Sequence, residues 1–278
     1  MLLTMSYSVV IPTTGRAKLK RAIASCLEQT LKPNEILVVH NGVNDLAAQF
    51  SFPSLVRFVS ADSPASVRSP ASRNRNLGVT ECSYDLVAFL DDDDVWLPRK
   101  MERQISFLVE NGLDFLASSS ICKKEVSTFK SVRPKKFYSS EQGSVFEHFY
   151  GSPSFFGNDA YMPTPSFLVR REVALAEPFN ENFPYFEDID WLQRLYLAGY
   201  SMGQLADVLV EISVNPFRSS NRQEFDFNKT WILRISEESP ILAANFVRAI
   251  AIRSALMNLD ISDLMRYLFL LKTLVQLG

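Results

Sequence analysis

Four consecutive aspartates, residues 91–94, follow directly on the apolar segment LVAFL and carry the strongest chemical signal in the sequence. Adjacent carboxylates repel one another, so a run of four destabilises a fold unless something neutralises it. A solvated turn that caps a helix explains one or two of them. A divalent cation explains more, because Mg²⁺ and Mn²⁺ bind one or two carboxylates together with substrate phosphates. The local sequence favours a metal site over a solvated turn. A carboxylate nucleophile ranks third, since it is expected near the first strand.

The elements around this run alternate between strands and helices. Short β-branched and apolar segments predict strands at 7–12, 35–40, 55–60 and 85–91. Apolar residues at helical spacing predict helices at 17–30, 72–82 and 97–112. Such alternation is typical of an α/β fold with a mostly parallel sheet and helices on both faces. Three polar segments come at the carboxyl ends of strands, where such sheets bind ligands, and we expect them to converge: Pro12–Thr14, His40–Gly42 and Asp91–Asp94.

The alternation weakens after about residue 115. We predict strands at 115–122 and 205–214, a strand running into a helix at 165–172, and a helix at 187–200. Residues 123–165 are rich in Ser, Lys, Phe, Tyr and Pro and have weak periodicity, so we interpret them as surface loops and short helices over the cleft. From about residue 228 the chain is predicted to be helical to its end.

Composition and charge exclude several classes of protein. A net charge of -2 over 278 residues argues against a nucleic-acid partner. Three widely spaced cysteines without C-x-x-C spacing argue against a disulfide framework and a zinc knuckle. The N-terminus lacks the basic region of a signal peptide, and no stretch approaches the ~18 uninterrupted apolar residues of a spanning helix. We therefore expect a cytoplasmic protein.

Several blocks, taken in order, resemble the GT-A family 2 glycosyltransferases: YSVVIPTTGR, LKRAIASCLEQTLKPNEILVVHNG, RNLGV, LVAFLDDDDVWLPRKMERQI and FNENFPYFEDIDWLQRLYLAG. The resemblance covers about residues 6 to 215. It implies a Rossmann-like GT-A fold and an inverting enzyme. Such an enzyme moves a sugar from a nucleotide diphosphate donor, with Mg²⁺ or Mn²⁺, in a single displacement at the anomeric carbon.

The resemblance also suggests a division of the chain into a catalytic domain and an extension. The glycosyltransferase domain would span 1–225, with a nucleotide-sugar half at about 1–115 and an acceptor half at about 116–225. A C-terminal helical extension would span 226–278.

The four aspartates take different roles under this resemblance. Asp91 and Asp93 match the two aspartates of the D-x-D motif, which implies that Asp91 binds the nucleotide sugar and that Asp93 is the metal ligand. Asp92 fills the variable position within the nucleotide-sugar-binding segment, and we expect it to be replaceable. Asp94 follows the motif, and our hypothesis is that it caps the next helix.

Further donor-site residues follow from the same resemblance. Pro12 and Thr13 resemble residues that contact the base. Arg75 matches an arginine that lies over the nucleotide or its phosphates, with a surface helix arginine as an equal alternative and Arg73 as its substitute. The second strand departs from the family pattern, because Asn41 stands where acidic residues usually accept a hydrogen bond from uracil. An amide oxygen can still accept that bond, so a UDP- or dTDP-sugar is the expected donor.

A general base is expected in the block FEDIDW, which supplies Glu187, Asp188 and Asp190. In-line displacement by a hydroxyl needs a carboxylate within hydrogen-bond reach of the attacking oxygen. The sequence alone favours three acids that decorate a helix N-terminus. The family block, however, carries its base in the E-D pair, which implies Asp188 for that role.

The expected function is sugar transfer to a hydroxyl of a glycan or lipid-linked acceptor in bacterial surface polysaccharide synthesis. Two alternatives stay open. A sugar-phosphate nucleotidyltransferase is disfavoured because PTTGRAKLK holds a single glycine, and a non-catalytic nucleotide-sugar binder because the acidic residues are intact.

The apolar tail LMRYLFLLKTLVQLG is best interpreted as a helix packed on its own domain or on a second subunit in a homodimer. Weak peripheral attachment at the inner face of the membrane is the alternative, which would suit a lipid-linked acceptor.

Overall fold

The structure, a computed structural model, describes residues 5–42, 52–61, 69–124, 130–151, 160–214, 225–248, 252 and 261–277. Within these ranges the strands are β1 (Tyr7–Thr13), β2 (Glu35–His40), β3 (Val56–Ser60), β4 (Leu86–Phe89), β5 (Val95–Trp96), β6 (Phe115–Lys124), β7 (Lys130–Arg133), β8 (Leu168–Arg170) and β9 (Met202–Val214). The α-helices are α1 (Leu19–Leu27), α2 (Pro70–Glu81), α3 (Lys100–Glu110), α4 (Val145–Tyr150), α5 (Arg171–Ala176), α6 (Glu187–Leu197), α7 (Phe225–Ser236), α8 (Pro240–Phe246) and α9 (Ile261–Leu277). Short 3₁₀ turns lie at Ser140–Gln142 and Thr164–Ser166.

All nine strands described belong to one sheet. Its first four strands are parallel, in the order β3-β2-β1-β4. Beyond β4, β8 runs antiparallel, and then β6 and β9 return to the parallel direction beside each other. The antiparallel strands β5 and β7 pair with β9 and β6. The predicted α/β class with a mostly parallel central sheet is confirmed.

A hydrophobic core lies on each face of the sheet, because successive side chains of a strand point to opposite faces. Val10 in β1 belongs to one core, together with Phe89, Trp191 and Trp231. Its neighbour Val9 belongs to the other core, which receives side chains from α1 and α3. The central strands are buried on both sides, which is why they are almost continuously apolar in sequence.

Helix α2 lies unusually close to β1, and Gly78 makes this approach possible. A Cβ atom added to Gly78 would come within 2.3 Å of Cγ1 of Val10, a fully buried side chain. Ser69 caps the helix, since its Oγ accepts from the Ser72 amide, and Pro70 occupies the first turn. The N-terminal half of α2 is thereby fixed over the carboxyl ends of β1 and β2.

The region 123–165, predicted to form surface loops and short helices, contributes to the core. In its described part, α4 contributes Phe146 and Tyr150 to the core, and the Phe146 ring lies edge-on to Trp231 with 5.5 Å between the centroids. α4 is one of the short helices that were predicted here, but it is buried in the core instead of lying at the surface. A six-residue helix is too short for its buried face to show as a periodic pattern in the sequence.

The segment after the aspartates also differs from the prediction. Val95 and Trp96 form the short strand β5, and the following helix begins at Lys100 instead of residue 97. Trp96 is buried, and its indole N–H donates to the carbonyl of Pro165 at 2.9 Å. Two residues give no period from which a strand could be predicted.

The C-terminal helices pack on the main core in the described part of the chain. Trp231 of α7 and Phe246 of α8 are buried there, and Asn228 donates to the hydroxyl of Tyr267 in α9 at 2.7 Å. The opposite side of α9 exposes apolar side chains, of which Phe269 is 71% exposed. Among the residues described, no helix has both the length and the apolar character that crossing a bilayer requires.

The close approach of α2 predicts that Gly78→Ala destabilises the protein, although alanine is the better helix former. The added methyl group meets the buried Val10 side chain, and overpacking of this kind costs about 1–3 kcal/mol. Urea denaturation measures the loss. Thr80→Ala, at an exposed position of the same helix, is the control and should stay within about 0.5 kcal/mol of the wild type. Equal stability of the wild type and Gly78→Ala would contradict the prediction.

Candidate active site

An open cleft of about 310 Å³ lies at the carboxyl ends of β1, β2 and β4. Its walls come from these strand ends, from the start of α2, and from the segment that leads into α6. The lining residues are Pro12, Thr13, Thr14, Arg16, Asn41, Pro70, Ala71, Asn74, Arg75, Asp91, Asp92, Asp93, Pro184, Tyr185 and Glu187. The predicted convergence of polar segments on one edge of the sheet is therefore present in the structure.

The seven residues that the sequence suggested for the donor and the metal all line this cleft. They are Pro12, Thr13, Asn41, Arg75, Asp91, Asp92 and Asp93. The suggested base, Asp188, is not among the lining residues, whereas its neighbour Glu187 is. The structure thus brings the donor-site candidates together and places Asp188 just beyond the cleft, in the first turn of α6.

Asp92 and Asp93 are buried and are held by Thr13, the last residue of β1, and by Arg16, which follows that strand. The hydroxyl of Thr13 donates to Oδ2 of Asp92 at 2.6 Å. Nη1 of Arg16 lies 3.2 Å from Oδ1 of Asp92 and 3.1 Å from Oδ2 of Asp93. Burial raises the pKa of Asp92, which the Thr13 hydrogen bond and the Arg16 charge oppose. The expectation that Asp92 is replaceable therefore overlooks its contacts, because Asp92 ties the loop after β4 to the end of β1.

Asp94 does not cap a helix. Its Oδ1 accepts from the amide of Ser213 in β9 at 2.8 Å, and α3 begins only at Lys100 without a side-chain cap. The intervening strand β5 separates the aspartates from the helix, so the capping hypothesis was wrong. Asp94 instead connects the acidic loop to the C-terminal end of β9.

Arg75 joins the acidic loop to the start of α6. Its Nη2 lies 2.8 Å from Oδ1 of Asp91, and its Nη1 lies 3.1 Å from Oε1 of Glu187. The Arg75 side chain is 4% exposed. Burial alone lowers the pKa of Arg75, but the charges of Asp91 and Glu187 raise it above the ordinary value. Arg75 therefore stays charged and links two segments that are distant in sequence.

The structure distinguishes Arg75 from Arg73, which the sequence left as a substitute. Arg73 does not line the cleft, and its Nη1 lies 3.3 Å from Oε2 of Glu181, with both side chains about one-third exposed. Two positions along a helix point to different sides. Arg75 is accordingly the arginine of the cleft.

Asp188 has the altered acidity expected of a proton acceptor near neutral pH. Burial and the neighbouring charge of Glu187 raise the pKa of Asp188 to about 7, against the hydrogen bond that its Oδ1 accepts from the Ile189 amide at 2.8 Å. Burial raises the pKa of Glu187 as well, and Arg75 opposes that rise. The third acid of the block, Asp190, has a structural partner instead, because it pairs with Arg194 at 3.0 Å. Raised pKa values of neighbouring carboxyls are typical of functional sites.

The acidic groups of the cleft fit a hard divalent cation that completes its coordination with substrate oxygens. In the described part of the chain, no group of three His, Cys, Asp or Glu side chains could hold a metal ion by itself. Carboxylate oxygens are nevertheless the ligands that Mg²⁺ and Mn²⁺ prefer, and one or two suffice when a substrate diphosphate supplies others. Asp93, with Asp91 beside it in the cleft, could provide these ligands.

Sequence reasoning missed Arg16 of the cleft and the partner of Glu187. Arg16 contacts Asp92 and Asp93, and its position directly after the glycine of PTTGR was the available signal. Glu187 was seen in the E-D pair, but its ion pair with Arg75 joins residues 112 positions apart. Neither contact can be predicted from local spacing. The Arg16 contacts join the segments after β1 and β4, and the Glu187 contact joins α6 to α2.

Comparison with known proteins identifies the family. The family model described as Glycosyl transferase family 2 matches residues 8–175, more than half of the chain. The chain therefore belongs to glycosyl transferase family 2 and is a glycosyltransferase. The matched range includes the four aspartates and Arg75 but ends before Glu187 and Asp188.

Individual relatives and structures are consistent with this assignment. The amylovoran biosynthesis glycosyltransferase AmsB of Erwinia amylovora is 26% identical over 231 residues, which are 79% of this chain and 74% of AmsB. The UDP-Glc:alpha-D-GlcNAc-diphosphoundecaprenol beta-1,3-glucosyltransferase WfgD of Escherichia coli is 27% identical over 135 residues, 46% of this chain and 51% of WfgD. The structure of S. aureus TarS 1-349 in complex with UDP-GlcNAc matches with a TM-score of 0.68 at 16% identity, over 95% of this chain and 79% of TarS 1-349. This likeness confirms the predicted GT-A fold.

The bridge made by Arg75 predicts a large effect of Arg75→Gln on stability. The variant leaves Asp91 and Glu187 without their shared cation, and removal of one partner of a buried ion pair typically costs about 3–5 kcal/mol. Both carboxylates keep part of their surface in solvent, so we expect the free energy of unfolding to fall by about 2–4 kcal/mol. Urea denaturation of both proteins provides the measurement.

Arg73→Gln is the matched control, because it removes the same charge two residues earlier in the same helix. Its ion pair with Glu181 is more exposed, and we expect a change below about 1 kcal/mol. Equal decreases in the free energy of unfolding of the two variants would show that the buried Arg75 bridge stabilises the protein no more than the exposed Arg73 ion pair.

Proposed function

We propose that the protein is an inverting, metal-dependent glycosyltransferase that uses a UDP- or dTDP-sugar. The observation that carries this proposal is the single cleft that collects Thr13, Arg75, Asp91 and Asp93 at the carboxyl ends of parallel strands. Membership of glycosyl transferase family 2 supports sugar transfer over nucleotidyl transfer.

The cleft suits a nucleoside diphosphate. The N-terminal end of α2, with Pro70 and Ala71, opens on it, and helix N-termini favour anions. Arg16 lies in the cleft with half of its side chain exposed, so it is available to a diphosphate. Asn41 at the end of β2 offers an amide for the base. The names of WfgD and of the TarS complex, which specify UDP-Glc and UDP-GlcNAc, support a uridine nucleotide as the first candidate.

Asp93, with Asp91 beside it, would hold Mg²⁺ or Mn²⁺. When bound there, such a cation neutralises charge on the departing diphosphate. Arg16 now partly neutralises Asp92 and Asp93, and its exposed side chain can turn away from them. The contacts of Thr13 with Asp92 and of Arg16 with Asp93 hold the acidic loop in place.

Asp188 is the proposed general base. Single displacement at the anomeric carbon requires removal of the proton from the attacking hydroxyl, and a carboxylate with a pKa near 7 accepts it at physiological pH. Arg75 holds the adjacent Glu187 against the donor loop, so the base lies one residue away from the cleft wall. Asp188 can therefore act on an acceptor that enters beside the donor.

The proposed acceptor is a hydroxyl of a glycan or of a lipid-linked saccharide in bacterial surface polysaccharide synthesis. The names of AmsB and WfgD, which specify amylovoran biosynthesis and a diphosphoundecaprenol-linked sugar, support this class. The enzyme would work in the cytoplasm, with the exposed apolar side of α9 bound weakly to the inner face of the membrane. A homodimer through the same helix is the alternative use of that surface.

Asp93→Asn is predicted to lose Mn²⁺-dependent donor binding, because the proposed metal ligand loses its charge. Isothermal calorimetry with UDP, in the presence and absence of Mn²⁺, measures the effect. Asp207→Asn is the control, since Asp207 pairs with Arg103 away from the cleft and its loss removes the same charge. Unchanged Mn²⁺-dependent affinity in Asp93→Asn would remove Asp93 from the metal site.

Asp188→Asn is predicted to keep donor affinity and to lose turnover by at least ~10²-fold, as expected for a general base. In the wild type, kcat/KM should fall as the pH drops below about 7, because protonated Asp188 cannot accept the hydroxyl proton. Initial rates measured from about pH 5 to 9 would show this fall in kcat/KM, the acidic limb of the pH profile.

Glu187→Gln is the informative companion variant for this pH profile. Removal of the neighbouring negative charge lowers the pKa of Asp188, so the acidic limb should move to lower pH. Normal turnover of Asp188→Asn, or a wild-type profile without an acidic limb, would place the base elsewhere.

A further inference from the structure

The residue before the E-D pair has a strained backbone. Phe186 adopts φ 59° and ψ 16°, and it alone has positive φ among the described residues other than glycine. Left-handed backbone is unfavourable for a bulky residue, because its Cβ approaches the following carbonyl oxygen. Phe186 is also the N-cap of α6, where a residue normally has extended backbone and a polar side chain. Something other than local preference therefore holds Phe186 in this conformation.

The ring of Phe186 is clamped by two C-terminal helices. It stacks on Trp231 of α7, with 5.4 Å between the ring centroids and 15° between the planes. It also lies edge-on to Phe246 of α8, at 5.5 Å and 82°. Trp231 and Phe246 are fully buried, and Phe183 adds a third ring edge-on to Trp231 at 5.6 Å. Aromatic pairs of this geometry contribute to stability beyond simple burial, and this contribution opposes the backbone strain.

The conformation of Phe186 sets the start of α6. Its carbonyl accepts from the Asp190 amide at 2.9 Å, the first hydrogen bond of the helix. The next two residues are Glu187, which pairs with Arg75, and Asp188, the proposed base. A change of φ at Phe186 would rotate both carboxylates away from their present directions.

Trp231 also contacts α4. Its indole N–H lies 3.4 Å from the hydroxyl of Tyr150. Burial raises the pKa of Tyr150, the hydrogen bond from Trp231 opposes that rise, and the charge of Asp188 adds to it. A single buried side chain of α7 therefore contacts both Phe186 and Tyr150.

We propose that Trp231 is a positioning residue for sugar transfer, which clamps Phe186 in left-handed backbone and so fixes the directions of Glu187 and Asp188. Its catalytic consequence rests on the proposed function, whereas the backbone clamp does not. Trp231 lies beyond residues 8–175, the part of the chain that the family model matches, so this role belongs to the C-terminal helices of this chain.

The test compares Trp231→Leu with Trp231→Phe and Ile235→Ala. Leucine keeps an apolar side chain but removes the flat ring, and phenylalanine restores a ring that can stack on Phe186. Ile235 is buried one turn further along α7, so Ile235→Ala loosens the same helix without removing the ring. Thermal unfolding of all three variants establishes how much each loses in stability.

Hydrogen exchange gives a readout that needs no substrate. We expect the amides in the first turn of α6, Ile189 and Asp190, to exchange at least ~10-fold faster in Trp231→Leu than in Ile235→Ala. Trp231→Phe should recover most of the protection. Equal protection in Trp231→Leu and Ile235→Ala would overturn the proposed clamp.

Kinetics separate a positioning role from a structural one. With UDP-glucose and UDP-GlcNAc as probes, Trp231→Leu should release UDP with kcat lowered at least ~10-fold while the affinity for Mn²⁺ and UDP is unchanged. Ile235→Ala should keep kcat at temperatures where it is folded. If kcat of Trp231→Leu equals that of Ile235→Ala, the positioning role is wrong. If the wild type releases UDP from neither probe, the proposed use of these donors fails, and the exchange experiment still decides on the clamp.

Discussion

The buried guanidinium of Arg75 is the interaction on which the site depends. It lies between Asp91 at the end of β4 and Glu187 at the start of α6, and it is almost entirely removed from solvent. A buried cation is tolerated only where carboxylates neutralise it, and these carboxylates in turn need the arginine. The acidic donor loop and the segment of the proposed base are consequently held at a fixed separation. Gly78, one turn further along α2, brings the helix that carries Arg75 onto β1.

The two ends of this bridge are supported by different parts of the molecule. The acidic loop is held from the β1 side by Thr13 and Arg16 and from β9 by the amide of Ser213. The start of α6 is held by aromatic packing from α7 and α8 against Phe186. Residues beyond the family match thus complete a site whose donor side lies within it. The C-terminal helices and the central strands consequently share one hydrophobic core.

The sequence predicted most of what lies on the regular elements. The strand ends that deliver Thr13, Asn41 and the aspartates follow from apolar runs of the right length, and their convergence follows from the rule for parallel sheets. The partners of these residues could not be predicted in the same way. The contacts of Arg16 with Asp93 and of Asp94 with Ser213 join residues 77 and 119 positions apart, so local periodicity holds no trace of them. The left-handed backbone of Phe186 could not be predicted from the sequence either, because no local preference favours it and only tertiary packing maintains it.

A panel of nucleoside diphosphates and nucleotide sugars, tested by thermal shift with and without Mn²⁺, is the most direct measurement of whether this cleft is a metal-dependent donor site. A ligand that binds only the folded state raises the unfolding temperature, so at equal concentration a tighter-binding donor should stabilise the protein more. The proposed site predicts that a UDP- or dTDP-sugar stabilises the wild type more with Mn²⁺ than without it, and that purine nucleotides stabilise it less. The same unfolding temperature with every nucleotide, in the presence of Mn²⁺, would contradict a donor site in this cleft.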